Sequence, residues 1–276
     1  MEIYVESKKN SREKIAAKYH NSEILDVTSN SEYRGLRELS PFFPHGNIPI
    51  PGMKEMTATC VEAVWQGLKV FDGQGVDYKT FENDTMENIK RTVRKYGKPR
   101  GHRYGNSLLN YEDARWEIYL PTYLYMLENV KSVRNTIEQM KLKFKDKIII
   151  FLDYNTNCDI CDYSKPLSHA YLLKLYIEGN YPKNRQEYKN KFYLNLIKSI
   201  ECHEKYNKLR HAECIEALHK MIGDGNIVVT KNSLKKLSGK RSGWKSIIED
   251  IYSNKSNKRQ TNDASLTQNE LPIEWS

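Results

Sequence analysis

The chain has 276 residues, of which 39% are hydrophobic and 19 are Tyr, enough to build one large domain or a domain with a smaller appendage. Lys and Arg outnumber Asp and Glu by 44 to 35, and the net charge of +9 favours anionic partners such as nucleotides or nucleic acid. No stretch approaches the ~18 apolar residues of a transmembrane helix, so no membrane partner is expected.

The opening "MEIYVESKKNSREK" lacks the apolar segment of a signal peptide. Five loosely spaced cysteines fit a reducing cytoplasm better than a disulfide framework. "EIYVES" alternates as a strand, Ser11 is placed to cap a helix carrying Ile15, Ala16 and Tyr19, and "EILDVTS" reads as a second strand. Residues 33–52 hold four prolines and also Phe42, Phe43, Ile48 and Ile50, which predicts an ordered loop. "TCVEAVWQGLKVFDG" (59–73) predicts a helix ending at Gly73. The spacing of Met86, Ile89 and Val93 predicts another over Thr85–Tyr96, stopped by Gly97 and Pro99.

"NYEDARWEIYLPTYLYMLENV" is helical on both sides of Pro121, which should kink or split it, and "IEQMKLKF" extends the helical run. "KIIIFLDY" is a continuous apolar run suited to the middle of a sheet. "PLSHAYLLKLYIEG" reads as a helix between Pro166 and Gly179. Residues 184–222 are helical and amphipathic, "NIVVT" is a short strand, and residues 253–276 form a polar, mobile tail. The fold class is therefore α+β, mostly helical with a small mixed sheet. Residues 1–182 form the α+β domain, 183–252 a basic helical extension and 253–276 the tail.

Four clusters of residues carry chemistry. In the helix from Thr59, Glu62, Gln66 and Lys69 fall at i, i+4 and i+7, with Trp65 at i+3, so all four project from one side. A solvated ion-pair face would show the same spacing, but an indole on that stripe argues for partial burial, shifted pKa values and an apolar wall for a flat ligand. In "LDYNTNCD", Asp153, Asn155, Asn157 and Asp159 alternate just past the apolar strand. Asx turns would give the same pattern, and the Gly and distal Glu of a calcium loop are missing, but polar groups just past a buried strand favour a site, Asp153 above the rest.

Residues 88–111 contain seven Lys or Arg, His102 and no acid; Gly97, Gly101 and Gly105 admit a phosphate, which Arg100 and Arg103 can grip. A solvated basic loop is the plain alternative, and "GKPRG" is not a Walker A loop. "CDIC" at 158–161 can form a zinc site with Cys202, His203, His211 and Cys214 only if unrelated pairs converge, so core or surface roles are preferred and no metal or cofactor is expected. His20 and His219 read as surface residues.

"LSPFFPHG" (39–46) followed by "EAVWQGLK" (62–69) resembles the NADAR (YbiA-like) proteins, which carry an "LSNF" segment and then Glu-x-x-x-Gln-x-x-Lys on a helix. "EDARWEIYLPTYLYML" (112–127) resembles their arginine-bearing helix, and "LDYNTNCDICDYSKPLSHAYLLKLY" (152–176) their Asp-containing segment, so the likeness spans roughly residues 33–180. Ala63 and Pro41 stand where the family usually has His and Asn, and its Trp-Gly is absent. The pattern "PHG…WQGLK…GHR…LDY-x-TN…PLSHA" also resembles a group of bacterial and phage proteins with no assigned activity.

The NADAR resemblance implies a NADAR-like core and an N-glycosidase that cleaves a ribosyl–nitrogen bond in riboflavin-pathway intermediates or ADP-ribosylated guanine. Glu62 would then stabilise an oxocarbenium-like transition state, with Asp153 as second carboxylate and Lys69 as electrostatic partner or imine-forming nucleophile. Trp65 or Trp116 would stack on the base, with Gln66, His45, Arg100, His102, Arg103, Arg115, Asn155, Asn157 and His169 as further substrate contacts. Two other readings are open. One is a DNA glycosylase excising a modified base in phage–host conflict. The other is a non-catalytic nucleic-acid-binding module carried by residues 88–105 and "KKLSGKRSGWK" (235–245).

Overall fold

The computed structural model describes residues 1–203, 207–223, 229, 231–238 and 243–252. The chain divides into two compact units. The first comprises residues 1–156 and 168–183, the second residues 157–167 and 184–276. The architecture is mixed α+β.

In the first unit, β1 (Glu2–Ser7), α1 (Arg12–Lys18) and β2 (Ser22–Asp26) are followed by α2 (Arg34–Arg37), β3 (Ile48–Pro49), β4 (Thr57–Ala58), α3 (Val61–Gly67) and β5 (Lys69–Val70). Then come α4 (Tyr78–Phe81), α5 (Val93–Tyr96), β6 (Gly101–Tyr104), β7 (Ser107–Leu109), α6 (Tyr111–Ala114), a π turn (Arg115–Tyr119), α7 (Leu120–Asn129), α8 (Lys131–Lys143), β8 (Ile148–Asp153) and α9 (His169–Ile177).

The apolar run at 148–153 forms the central strand, as its composition predicts. Both β1 and β2 pair with it in parallel, placing Glu2 and Ser22 opposite Ile148, and Ser7 opposite Asp153. Ser11 caps α1 by accepting from the Lys14 N–H at 3.3 Å, and Ile15 then packs on Ile150 and Leu152. Side chains alternate along β8, so Asp153 points away from that layer. A second sheet, β5-β6-β7, is antiparallel and sets Lys69 opposite His102.

Three sequence expectations need correction. The helix from Val61 stops at Gly67 rather than Gly73, because residues 69–70 leave the helical path to pair with β6. Only Val93–Tyr96 of the helix expected over 85–96 is helical. Met86 and Asn88 adopt φ of 63° and 55°, and the Arg91 N–H donates to a side chain instead of a helix carbonyl. Pro121 does not end the helical run. It sits in the first turn of α7, and the turn ahead of it opens to π spacing, with the Leu120 N–H donating to the Arg115 carbonyl.

Gly67 is required by packing. A Cβ there would stand 2.3 Å from the Phe81 ring. Gly67→Ala is therefore expected to destabilise the fold by ~1–3 kcal/mol in urea melts, since overpacking outweighs the ~1 kcal/mol that Ala gains in helix propensity.

The second unit contains α10 (Arg185–Glu201), α11 (Lys208–Gly223), α12 (Lys231–Ser238) and α13 (Trp244–Tyr252). Its core gathers Leu196, Ile200, Leu218, Met221, Trp244 and Ile248. The helical span expected over 184–222 is interrupted after Glu201. The tail at 253–276 and all of "NIVVT" except Val229 lie outside the described residues, as do residues 239–242 of the second basic stretch. Among the described residues no helix is long and apolar enough to cross a membrane.

Candidate active site

The loop "LSPFFPHG" fixes the first turn of α3. The Pro41 carbonyl accepts the Glu62 N–H at 2.8 Å, Cys60 Sγ accepts from the Ala63 N–H, and the Tyr123 hydroxyl donates to the Leu39 carbonyl at 2.9 Å. His45 steadies the same loop, donating from Nε2 to the Glu38 carbonyl at 2.8 Å with its ring against Phe43. Burial lowers the His45 pKa, so the ring is neutral at pH 7.

On this anchored turn Glu62 is buried, and its Oε1 accepts from Gln66 Nε2 at 2.7 Å. Gln66 Oε1 in turn accepts from Lys69 Nζ at 2.8 Å and from the Arg91 N–H at 3.0 Å. One donation and two acceptances fix the amide's orientation, because a flipped Gln66 would aim its NH2 at two donors. Lys69 joins this row from β5 rather than from the helix, since its backbone has turned into the sheet. Burial draws the Lys69 pKa below its usual value; the Glu62 carboxylate opposes this, while Arg91 and Lys90 add to it.

Arg91 is the organiser that the sequence does not reveal. Amid seven cations it reads as solvated, yet it is buried. Its guanidinium donates to the carbonyls of Lys69 at 2.5 Å and Gly75 at 3.2 Å and lies over Phe71 and Tyr96. It thereby fixes the backbone from which Lys69 projects.

An aromatic cluster backs the row. The His102 ring lies against Trp65, with centroids 3.8 Å apart, and Tyr111 and Tyr119 meet Trp65 edge-on at 5.6 and 5.5 Å. One face of Trp65 is thus already covered by protein. His102 is 1% exposed, and neither ring nitrogen has a hydrogen-bond partner among the described residues. Burial, then the Lys69 charge, push its pKa down to about 3. The π turn carries Tyr119, another residue that sequence periodicity does not single out. Burial holds its phenol well above the usual range, reinforced by Glu62, Tyr123 and Asp153. Mid-helix π turns recur at functional sites.

At the end of β8, Asp153 Oδ2 accepts from the Ser168 hydroxyl at 2.7 Å and lies 3.0 Å from His169 Nδ1. His169 Nε2 donates to the Val27 carbonyl at 2.9 Å. A carbonyl on one side and a carboxylate on the other give both ring nitrogens a proton to donate, so His169 is an imidazolium. Burial alone would lower its pKa, but Asp153 outweighs burial and raises it, with Glu62 adding to the rise. Burial likewise pushes Asp153 up, and its bonds to His169 and Ser168 bring it below the ordinary carboxylate value. Tyr119 and His169 each feel both Glu62 and Asp153, so α3, the π turn and the end of β8 share one electrostatic neighbourhood.

The other candidates scatter. Arg115 is buried, with one nitrogen 3.4 Å from the Tyr111 hydroxyl, and Trp116 is buried beside it in the π turn. Arg100 is exposed and lies 3.5 Å from Asp72, while Arg103 donates to the Asn106 carbonyl. Asn155 is exposed, and its N–H reaches Asp153 Oδ1 at 3.4 Å. Asn157, in the second unit, spends its amide closing the 157–165 loop against the carbonyls of Asp162 and Lys165. Cys158, Cys161 and Cys214 are buried and Cys202 is exposed. Among the described residues no three His, Cys, Asp or Glu side chains converge as metal ligands would.

No curated protein matches the chain. The model of DUF6939, a family of unknown function, matches residues 7–173, a span that contains Glu62, Lys69, Arg91, His102, Tyr119, Asp153 and His169. With well over half of its length matched, the site included, the protein belongs to the DUF6939 family.

Proposed function

We propose that the protein is an N-glycosidase, built on a NADAR-like core and working in the cytoplasm, that hydrolyses a ribosyl–nitrogen bond in a nucleotide, an ADP-ribosylated base or a modified nucleic acid. The observation that carries this reading is the hydrogen-bonded row Glu62–Gln66–Lys69, with a partly buried lysine of lowered pKa at one end and a buried carboxylate at the other. Breaking a glycosidic C–N bond builds positive charge on the sugar and negative charge on the leaving base. A buried carboxylate meets the first need and a nearby cation the second. Asp153 commits Oδ2 to His169 and Ser168, which leaves Glu62 as the carboxylate for acid–base work and Asp153 as its electrostatic support.

In this scheme Glu62 takes a proton from the attacking water, and Lys69 stabilises the anionic end of the substrate. A polymeric substrate, and with it the DNA-glycosylase reading, draws support from one feature. The strand paired with Lys69 also carries Arg103, and Arg100 immediately precedes it, so two cations stand within two residues of His102 in the chain. The test incubates the protein with DNA bearing ADP-ribosylated guanine, with riboflavin-pathway intermediates and with modified-base DNA. Mass spectrometry should find a released base and its ribosyl partner from one of them. Release from none would remove the reading.

A further inference from the structure

His102 is the most isolated polar group in the first unit. Its ring is 1% exposed, and both nitrogens lie buried without a hydrogen-bond partner among the described residues. Each orphaned nitrogen has given up its hydration without a protein hydrogen bond in return, which is unfavourable. A phenyl ring would fill the same space against Trp65 without that cost. The ring's placement is tightly specified even so. It is opposite Lys69 in the β5–β6 register, and Trp65 covers one face at 3.8 Å. Lys69 and, across Trp65, Tyr119 and Tyr111 are partly exposed, so the ring lies one side chain from solvent.

Resting on the N-glycosidase reading, we propose that His102 is a further catalytic residue: its ring N–H donates a hydrogen bond to a carbonyl-type acceptor on the leaving base, selecting keto bases and stabilising the charge they acquire. The opposite nitrogen then accepts from the substrate or from a water bound with it. His102 moves no proton. As the C1′–N bond breaks, its electron pair passes to the base and spreads onto the acceptor that His102 holds. The water oxygen bonds to C1′ and keeps one proton as the new hydroxyl. The other proton goes to the Glu62 carboxylate and from there to the base nitrogen. A ring kept uncharged suits this role, because it donates to the departing base without itself surrendering a proton.

The test compares His102→Phe and His102→Gln in the full chain, on whichever substrate the wild type turns over. His102→Phe is expected to lower kcat about 100-fold with KM little changed, the cost of one preorganised donor, and His102→Gln to recover part of the loss. His102→Phe should also melt no lower than the wild type, since it removes two orphaned nitrogens. An unchanged kcat in His102→Phe, or a lower melting temperature together with no recovery in His102→Gln, would overturn the proposal. If the wild type turns over nothing, the N-glycosidase reading fails first. Side-chain 15N NMR of the histidine-labelled protein then decides alone: a His102 shift with inosine but not with purine riboside, which lacks the carbonyl, supports the base contact, and no response to inosine refutes it.

Discussion

Glu62→Gln is expected to reduce turnover by about 1,000-fold or more while leaving substrate binding within a few-fold of the wild type. The substitution keeps the size of the side chain and an oxygen to accept from Gln66 Nε2, so the row of hydrogen bonds survives. What it removes is the negative charge and the ability to take a proton from water. Turnover is read by the mass-spectrometric release assay, and binding by calorimetry with the same substrate. Retained turnover would move the acid–base role away from α3 and dissolve the assignment built on Glu62–Gln66–Lys69. Lost turnover with lost binding would instead make Glu62 a binding residue.

Asp153→Ala is expected to cost about 3–5 kcal/mol of stability at pH 6, the penalty for a buried charge left without its partner. His169 would remain an imidazolium between an empty space and the Val27 carbonyl, or would have to give up the Nδ1 proton. The wild type should carry the signature of this pair in its pH dependence. The His169 pKa is raised on folding, so the stability it contributes is present below its unfolded value of about 6.5 and is lost as pH rises through the folded value.

The Asp153 pKa is depressed, so its contribution is present above the ordinary carboxylate value and is lost as pH falls through the folded one. The urea midpoint should therefore fall as pH rises above the unfolded histidine value of about 6.5 and through the raised folded value of His169. His169→Gln should flatten that fall. A wild-type midpoint that stays level or rises across this interval would mean that the ring is not protonated.

The parts of this molecule that obey a simple period were open to reading from sequence. The apolar run at 148–153, the alternation in β1 and the Ser11 cap each follow from local chemistry, and the structure places them as expected. Glu62 and Gln66 are four residues apart on a helix and do touch. Lys69 illustrates the limit. Its helical register was the reason to include it, and the helix ends before it, yet a strand three residues on delivers the same ammonium to the same amide.

The role of Arg91, and the burial of His102, were beyond local reading for a different reason. A run of seven cations looks solvated at every position, and only the tertiary fold decides that one of them turns inward to bind three carbonyls. The irregular path over 85–92 belongs to the same effect, because burying Arg91 outweighs the helical spacing of Met86, Ile89 and Val93. Nothing in "GHRYG" distinguishes a buried orphaned imidazole from an exposed one.

The strand order places β8 between β1 and β2, although about 120 residues separate it from β2 in the chain and about 140 from β1. The two N-terminal strands therefore cannot pair with each other and have no sheet partner until residues 148–153 arrive. Closing so long a loop is slow relative to local helix formation. During synthesis β1 and β2 wait as unpaired edges, open to aggregation or to a chaperone, and are shielded only when the chain passes Asp153. The strand that completes the sheet also brings in Asp153, so a chain caught before that step lacks both its central strand and one wall of its candidate site.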